Sequence, residues 1–140
     1  MVDKVLFSSA NDCWATPQEF FDKLNRMFNF ELDVAANKDN AKCKKFFTKE
    51  DNGLLQNWCD RNWMNPPYGK EIGAWCAKAD SEAEKGKLTV GLLPARTDTK
   101  WFQDFCKKWH CVFLRGRLKF VGGCSNAPFP SVVVFFGIEK

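Results

Sequence analysis

The sequence predicts an α/β fold: a mostly parallel sheet flanked by helices, closed by an antiparallel C-terminal hairpin. Three observations predict it. Apolar residues recur at helical spacing in Phe20, Phe21, Leu24, Met27 and Phe28, and again in Ile72, Trp75, Cys76, Ala79 and Ala83. Strand-like runs separate these helices: the alternating Phe30, Leu32 and Val34, then the continuous stretch Leu88 to Leu93, which fits a strand buried on both faces. The chain then closes on Ser131 to Gly137, a β-branched and aromatic run. Strands alternating with helices are the pattern of a parallel sheet.

Composition sets the bounds. The chain has 140 residues, 45% hydrophobic and 15% aromatic, enough for one core and one domain. Residues 1–13 read as a short arm and residues 14–140 as a single domain. No apolar run is long enough to span a bilayer, and Met1-Val2-Asp3-Lys4 does not open a signal peptide, so a cytoplasmic location is expected. Net charge is +4, from 21 basic and 17 acidic residues. That permits a polyanionic partner and fits a mixed-charge surface equally well. The seven cysteines form no Cys-x-x-Cys pair, which favours reduced, core-like thiols. Cys106, His110 and Cys111 fall one ligand short of a structural zinc site, so no metal is expected.

The elements follow in order. Thr16-Pro17-Gln18-Glu19 opens the first helix, with Thr16 as N-cap, Pro17 at the first helical position and Glu19 completing a capping box. Asp33-Val34-Ala35-Ala36-Asn37 closes the first strand; Ala35 and Ala36 allow close approach to the backbone, and Asp33 reads as a ligand-binding carboxylate or as a turn former. Lys42 to Thr48 reads as a helix end and a short strand, and Asp51-Asn52-Gly53-Leu54 as a turn in which Asp51 has the same two readings. Pro94 ends the Leu88 to Leu93 strand. Thr97 or Asp98 then caps a helix whose core face is Trp101, Phe102, Phe105, Cys106 and Trp109. Arg96 stands on the ligand side of the sheet, where it can contact a phosphate. After a strand from Cys111 to Leu114, Arg115-Gly116-Arg117 makes a tight basic turn into Leu118-Lys119-Phe120. Arg115, Arg117 and Lys119 beside an exposed Phe120 suit a phosphate backbone and an unstacked base; a polar hairpin turn accounts for them as well. Residues 122–128 read as a flexible loop, and Pro128-Phe129-Pro130 holds Phe129 near the pocket.

The stretch that carries most chemistry is Asn65-Pro66-Pro67-Tyr68-Gly69, which follows the strand-like Asn62-Trp63-Met64. It therefore sits at a strand's C-terminal end, where open α/β sheets hold ligands. Asn65 offers a side-chain carbonyl. The Pro66–Pro67 pair is stiff, and its carbonyls can point away from the strand. Tyr68 offers a flat face. Two acceptors and a stacking ring suit a planar amino group such as adenine N6. Accepting both N–H bonds draws that nitrogen toward tetrahedral geometry and frees its lone pair, so the chemistry is positioning and electrostatics. An ordinary two-proline turn is the plainer reading of the same residues.

Asn65-Pro66-Pro67-Tyr68 resembles the catalytic motif of amino-group methyltransferases that use S-adenosylmethionine. Further stretches match in order: Trp14-Ala15-Thr16-Pro17, Leu32-Asp33-Val34-Ala35-Ala36, Trp63 to Gly69, Leu93-Pro94-Ala95-Arg96-Thr97-Asp98-Thr99, Leu114 to Phe120, and Ala127-Pro128-Phe129-Pro130-Ser131. As an ordered set they resemble the small phage and prophage DNA N6-adenine methyltransferases of the Dam type, from about Trp14 to about Gly137. The resemblance implies a reduced Rossmann-like, S-adenosylmethionine-dependent methyltransferase acting on a flipped-out adenine of double-stranded DNA, as monomer or homodimer. It implies catalysis by Asn65, Pro66, Pro67 and Tyr68. It implies cofactor contacts from Trp14, Thr16, Pro17, Asp33, Ala35, Asp51 and Asn65, and DNA contacts from Arg96, Arg115, Arg117, Lys119, Phe120 and Phe129. The glycine-rich cofactor loop common among methyltransferases is absent, a departure the small phage enzymes share. Two alternatives stand beside this reading. One keeps the chemistry on an RNA adenine or a protein glutamine. The other is a non-catalytic nucleic-acid-binding module.

Overall fold

The computed structural model of the chain describes residues 15–120 and 128–140. Helix α1 spans Gln18–Phe28. Strands β1 (Leu32–Asp33) and β2 (Lys45–Phe46) are two-residue ladders. Strand β3 (Arg61–Met64), helix α2 (Ile72–Glu84) and strand β4 (Leu88–Pro94) follow. A π-helical segment, Phe102–Cys106, leads into β5 (Trp109–Phe113), and β6 (Ser131–Glu139) ends the chain. The sheet order is β2-β1-β3-β4-β6-β5. The first four strands are parallel, and β6 runs antiparallel to both β4 and β5. This is the Rossmann-like architecture that the resemblance implies. The chain steps outward from β1 to β2, then returns to the other side of β1 as β3. That reversal creates a crevice at the C-terminal ends of β1 and β3.

The period of two along the strands builds a core on each face. In β6, Val132, Val134 and Phe136 join Met64, Trp75, Cys76 and Ala79 on the α2 side. Val133 and Phe135 join Phe21, Phe30, Trp63 and Leu92 on the α1 side. Both layers exclude water from the central strands, which is why β4 is apolar apart from Thr89. Asn62 is a buried polar residue of β3. Fully buried, it accepts from Cys59 N and donates to the carbonyls of Cys59 and Leu88, pinning the start of β3 to β4.

Four local expectations are corrected. The cap of α1 is Pro17, in extended conformation, with no side-chain cap bond; Thr16 is buried one residue earlier and its hydroxyl is engaged elsewhere. The helix expected across Trp101 to Trp109 contracts to Phe102–Cys106. Lys107 N reaches back five residues to Phe102 O, and Trp109 already opens β5. The β-branched and aromatic residues after it favour pairing with β6 over further helix. Its entry is capped by Thr99, whose hydroxyl accepts from Phe102 N and donates to Arg96 O, rather than by Thr97 or Asp98. Phe120, expected to be exposed, is 3% exposed and lies in the α1-side core.

Candidate active site

The crevice between β1 and β3 opens into a cavity of about 950 Å³. Its walls include Ala15 and Thr16 before α1; Asp33, Ala35 and Ala36 at the end of β1, with Lys42 beyond them; Glu50, Gly53 and Leu54 after β2; and Asn65, Pro66, Pro67, Glu71 and Trp75 after β3. Of the residues singled out in the sequence, the structure thus brings together Thr16, Asp33, Ala35, Asn65, Pro66 and Pro67. Trp14 lies outside the described residues. Pro17 is next to the wall rather than in it, turning the chain into α1.

Asn65 and Thr16 are in direct contact. Asn65 Nδ2 donates to Thr16 Oγ1 at 2.9 Å, across 49 positions of sequence. The bond engages the donor end of the Asn65 amide and links two walls of the cavity. It also explains why Thr16 does not cap its helix.

Asp33 ends β1 and is 2% exposed. Its carboxylate accepts from Lys42 N at 3.0 Å and from Ala35 N at 3.3 Å. Burial outweighs these bonds and the nearby Lys42 charge, and pushes its pKa up to about 7. A buried carboxylate with a perturbed pKa on a cavity wall is a candidate functional group. Burial also lowers the pKa of Lys42, whose Nζ donates to Gln18 Oε1.

Asp51 has a different place. Its Oδ2 accepts from Thr48 N and Oγ1, closing a turn, and the acid lining the cavity there is its neighbour Glu50. The following turn brings Gly53 against the crevice. A Cβ on Gly53 would overlap the Val34 carbonyl oxygen and stand 3.1 Å from Trp75 Cη2. Glycine is therefore required for close approach here, although the loop after β1 has none.

Tyr68 packs outside the cavity wall. Its hydroxyl donates to Leu92 O at 2.8 Å, and burial raises its pKa, so it stays neutral. Its ring meets those of Phe129 and Phe120 edge-on, with centroids at 5.6 and 6.4 Å. Phe129 and Phe120 are thus buried supports of Tyr68 rather than open stacking surfaces. The Arg96 guanidinium sits 5.9 Å from the Phe129 ring centroid, which places this exposed cation beside the Tyr68 cluster. Arg115, Arg117 and Lys119 are exposed on the bend after β5, where Gly116 takes a φ of 71°. The base-contacting segment expected nearby continues into residues outside the described set.

A family model described as DNA N-6-adenine-methyltransferase (Dam) matches residues 4–133. The chain belongs to this Dam family. Two relatives illustrate the range. The DNA N-6-adenine-methyltransferase of Haemophilus phage HP1 (strain HP1c1) is 39% identical over 101 residues, covering 70% of this chain and 58% of that protein. That of Escherichia phage T1 is 35% identical over 100 residues, covering 69% and 41% respectively. The chain spans about half the length of these phage relatives.

Within the Dam-family fold, the wall residues that sequence reasoning missed include Glu50, Gly53 and Trp75. Glu50 was overlooked because the acid two residues before the Asn52-Gly53 turn and the acid next to that turn differ only in register. Gly53 was read as an ordinary turn glycine. Trp75 fits the apolar face of α2, and its spacing gives no sign that it reaches the cavity.

Proposed function

We propose that this Dam-family chain transfers a methyl group from S-adenosylmethionine to N6 of an adenine in double-stranded DNA. The observation that carries the reading is the position of Asn65-Pro66-Pro67 at the switch point, in one wall of a cavity whose other wall holds Asp33 and Ala35. The cavity volume is within the range of small-molecule sites.

The residues present fit the cofactor. Asp33 supplies a carboxylate for the methionine ammonium. Glu50 supplies acceptors for ribose hydroxyls. Ala35, Leu54 and Trp75 form an apolar sector for a flat heterocycle, and Trp75 Nε1 is buried with no hydrogen-bond partner among the described residues. S-Adenosylmethionine, when bound, supplies an electrophilic sulfonium methyl group.

The chain's own residues do the rest. Arg96, Arg115, Arg117 and Lys119 hold the phosphate backbone, and an adenine leaves the stack because its N6 is inaccessible inside a duplex. Asn65 Oδ1 and the Pro66 carbonyl accept the two N6–H bonds. They draw N6 toward tetrahedral geometry and aim its lone pair at the methyl group. Thr16 holds the nitrogen end of the Asn65 amide. Tyr68, clamped by Leu92 O and the two phenylalanines, stacks on the base. The extra proton leaves N6 after transfer, to solvent.

Only ionised Asp33 attracts an ammonium, so cofactor affinity is expected to rise about tenfold between pH 6 and pH 8. Calorimetry across that range checks it, and Asp33→Asn is expected to bind weakly with no such slope. Without ligand the same shift acts on stability. The folded chain holds the Asp33 proton more tightly than the unfolded chain, so this contribution is full at acid pH and is lost as pH rises through about 7. For DNA, Arg115→Ala is expected to weaken binding similarly on all sequences and to reduce the slope of log affinity against log salt by about one. Binding isotherms at several salt concentrations measure it.

The reading is tested by supplying methyl-labelled S-adenosylmethionine with duplex DNA, RNA or protein. Label in DNA supports it. Label only in RNA or protein moves the same chemistry to another substrate, and cofactor that never binds favours a non-catalytic nucleic-acid-binding module.

A further inference from the structure

Among the described residues, the exposed large apolar side chains are Met27, Leu55, Val112, Phe113 and Ile138. Phe113 is the aromatic one, and it is 56% exposed. It does not belong to a continuous apolar patch with its neighbours. Directly opposed residues of paired strands share a face of the sheet. Phe113 pairs with Val132, which lies in the α2-side core, while Val112 pairs with Val133 of the α1-side core. Val112 and Phe113 therefore stand on opposite faces. Ile138 lies at the far end of β6, beside the residue that pairs with Trp109.

Phe113 closes β5, which runs in the same direction as β3 and β4, so it sits at the sheet end that carries Asn65. Three strand spacings separate β5 from β3, about 14 Å. The ring leans on buried Phe102, with centroids 6.3 Å apart and planes inclined by 40°. The rest of it is open. Its surroundings are basic. Lys100 is exposed two residues before Phe102, and Arg115, Arg117 and Lys119 are exposed on the bend that follows Phe113. The apolar centre of a protein–protein interface is depleted of charged residues. An open aromatic ring set among cations is instead the arrangement that grips an unstacked base and its phosphates. The sequence assigned that ring to Phe120, which is buried; the open ring stands at the other end of the same basic bend.

We infer that Phe113 is a DNA-contact residue, its open face stacking on an unstacked base while Lys100 and Arg115 hold the adjoining phosphates. At about 14 Å from β3, that base is a different one from the adenine held by Asn65. The inference rests on the nucleic-acid reading of the site and deepens it by separating a base contact from the backbone contacts around it.

Two single-stranded probes test it: a DNA oligonucleotide of mixed sequence, and an abasic strand of the same length that keeps every phosphate. Phe113→Ala is expected to weaken binding of the base-bearing strand about tenfold, the loss of one stacked base, and to leave the abasic strand and the salt slope unchanged. Phe113→Tyr, which keeps the ring, is expected to restore the affinity. Arg115→Ala is expected to weaken both strands and lower the salt slope. Equal affinity of Phe113→Ala and the unaltered protein for the base-bearing strand would overturn the assignment. So would equal losses on both strands, or an unaltered protein that does not prefer the base-bearing strand. Self-association that Phe113→Ala abolishes, with no base-specific loss, would give the ring to a second copy of the chain instead. If the unaltered protein binds neither strand nor duplex DNA, the nucleic-acid reading itself falls; if Arg115→Ala lowers the salt slope and Phe113→Ala causes no base-specific loss, the Phe113 assignment falls alone.

Discussion

Asn65→Ala is expected to lower the rate of methyl transfer at saturating cofactor and DNA by at least about 10²–10³-fold, the cost of losing one positioned group that acts on developing charge. Adenine N6 is nucleophilic only when its lone pair leaves conjugation. Removing one of two acceptors leaves the nitrogen planar. Alanine also deletes the amide that donates to Thr16 at 2.9 Å, so the cavity loses its link between the helix entry and the proline loop. Cofactor affinity is expected to change by only a few-fold, since the Asp33 and Glu50 walls remain. Single-turnover kinetics beside cofactor calorimetry separate these effects. A variant that binds cofactor normally and transfers methyl at the original rate would remove Asn65 from the chemistry.

Gly53→Ala is expected to be the most damaging one-carbon addition in the cavity wall. The new methyl has a backbone carbonyl, Val34 O, where it must go, and Trp75 Cη2 at 3.1 Å on the other side. Neither is the loose end of a flexible side chain: one belongs to the segment that follows β1, the other to a tryptophan packed on Trp58. Relieving the overlap means parting the turn from β1 and displacing the Trp58 bond to Gly53 O. Overpacking of this kind costs about 1–3 kcal/mol. A fall of several degrees in Tm is expected, with a larger fractional loss of cofactor affinity because the displaced atoms line the cavity. By contrast, alanine at Gly69, where an added Cβ meets nothing within 4 Å, is expected to leave Tm nearly unchanged. Thermal unfolding of the two variants side by side measures the difference.

The fold was legible because its pattern is written in local periodicity. Leu88 to Leu93 is apolar on both faces since helices cover both, and β6 alternates between two cores. The proline loop was legible for the same reason: two prolines after an apolar strand leave the backbone few choices. What was not legible depends on contacts distant in sequence. Thr16 reads as a helix cap from its neighbours, yet its hydroxyl serves Asn65 across 49 positions. Asp51 and Glu50 compete for one strand end, and only the Thr48 turn decides which faces the cavity. The helix after Arg96 is cut short because β5 has β6 to pair with, a partner that lies well beyond it in sequence. Phe120 follows a basic turn and reads as a surface ring, but it packs edge-on to Tyr68 within the α1-side core.

The central claim is that Asn65-Pro66-Pro67-Tyr68 methylates the exocyclic nitrogen of adenine. The most direct measurement is mass spectrometry of nucleosides from unmethylated duplex DNA incubated with S-adenosylmethionine and either the unaltered protein or Asn65→Ala. N6-methyladenine from the first and about a hundredfold less or none from the second is the result expected. Methyl on N4 of cytosine would keep the pocket and change the base. No methylated nucleoside from the unaltered protein, with the cofactor bound, would contradict the claim.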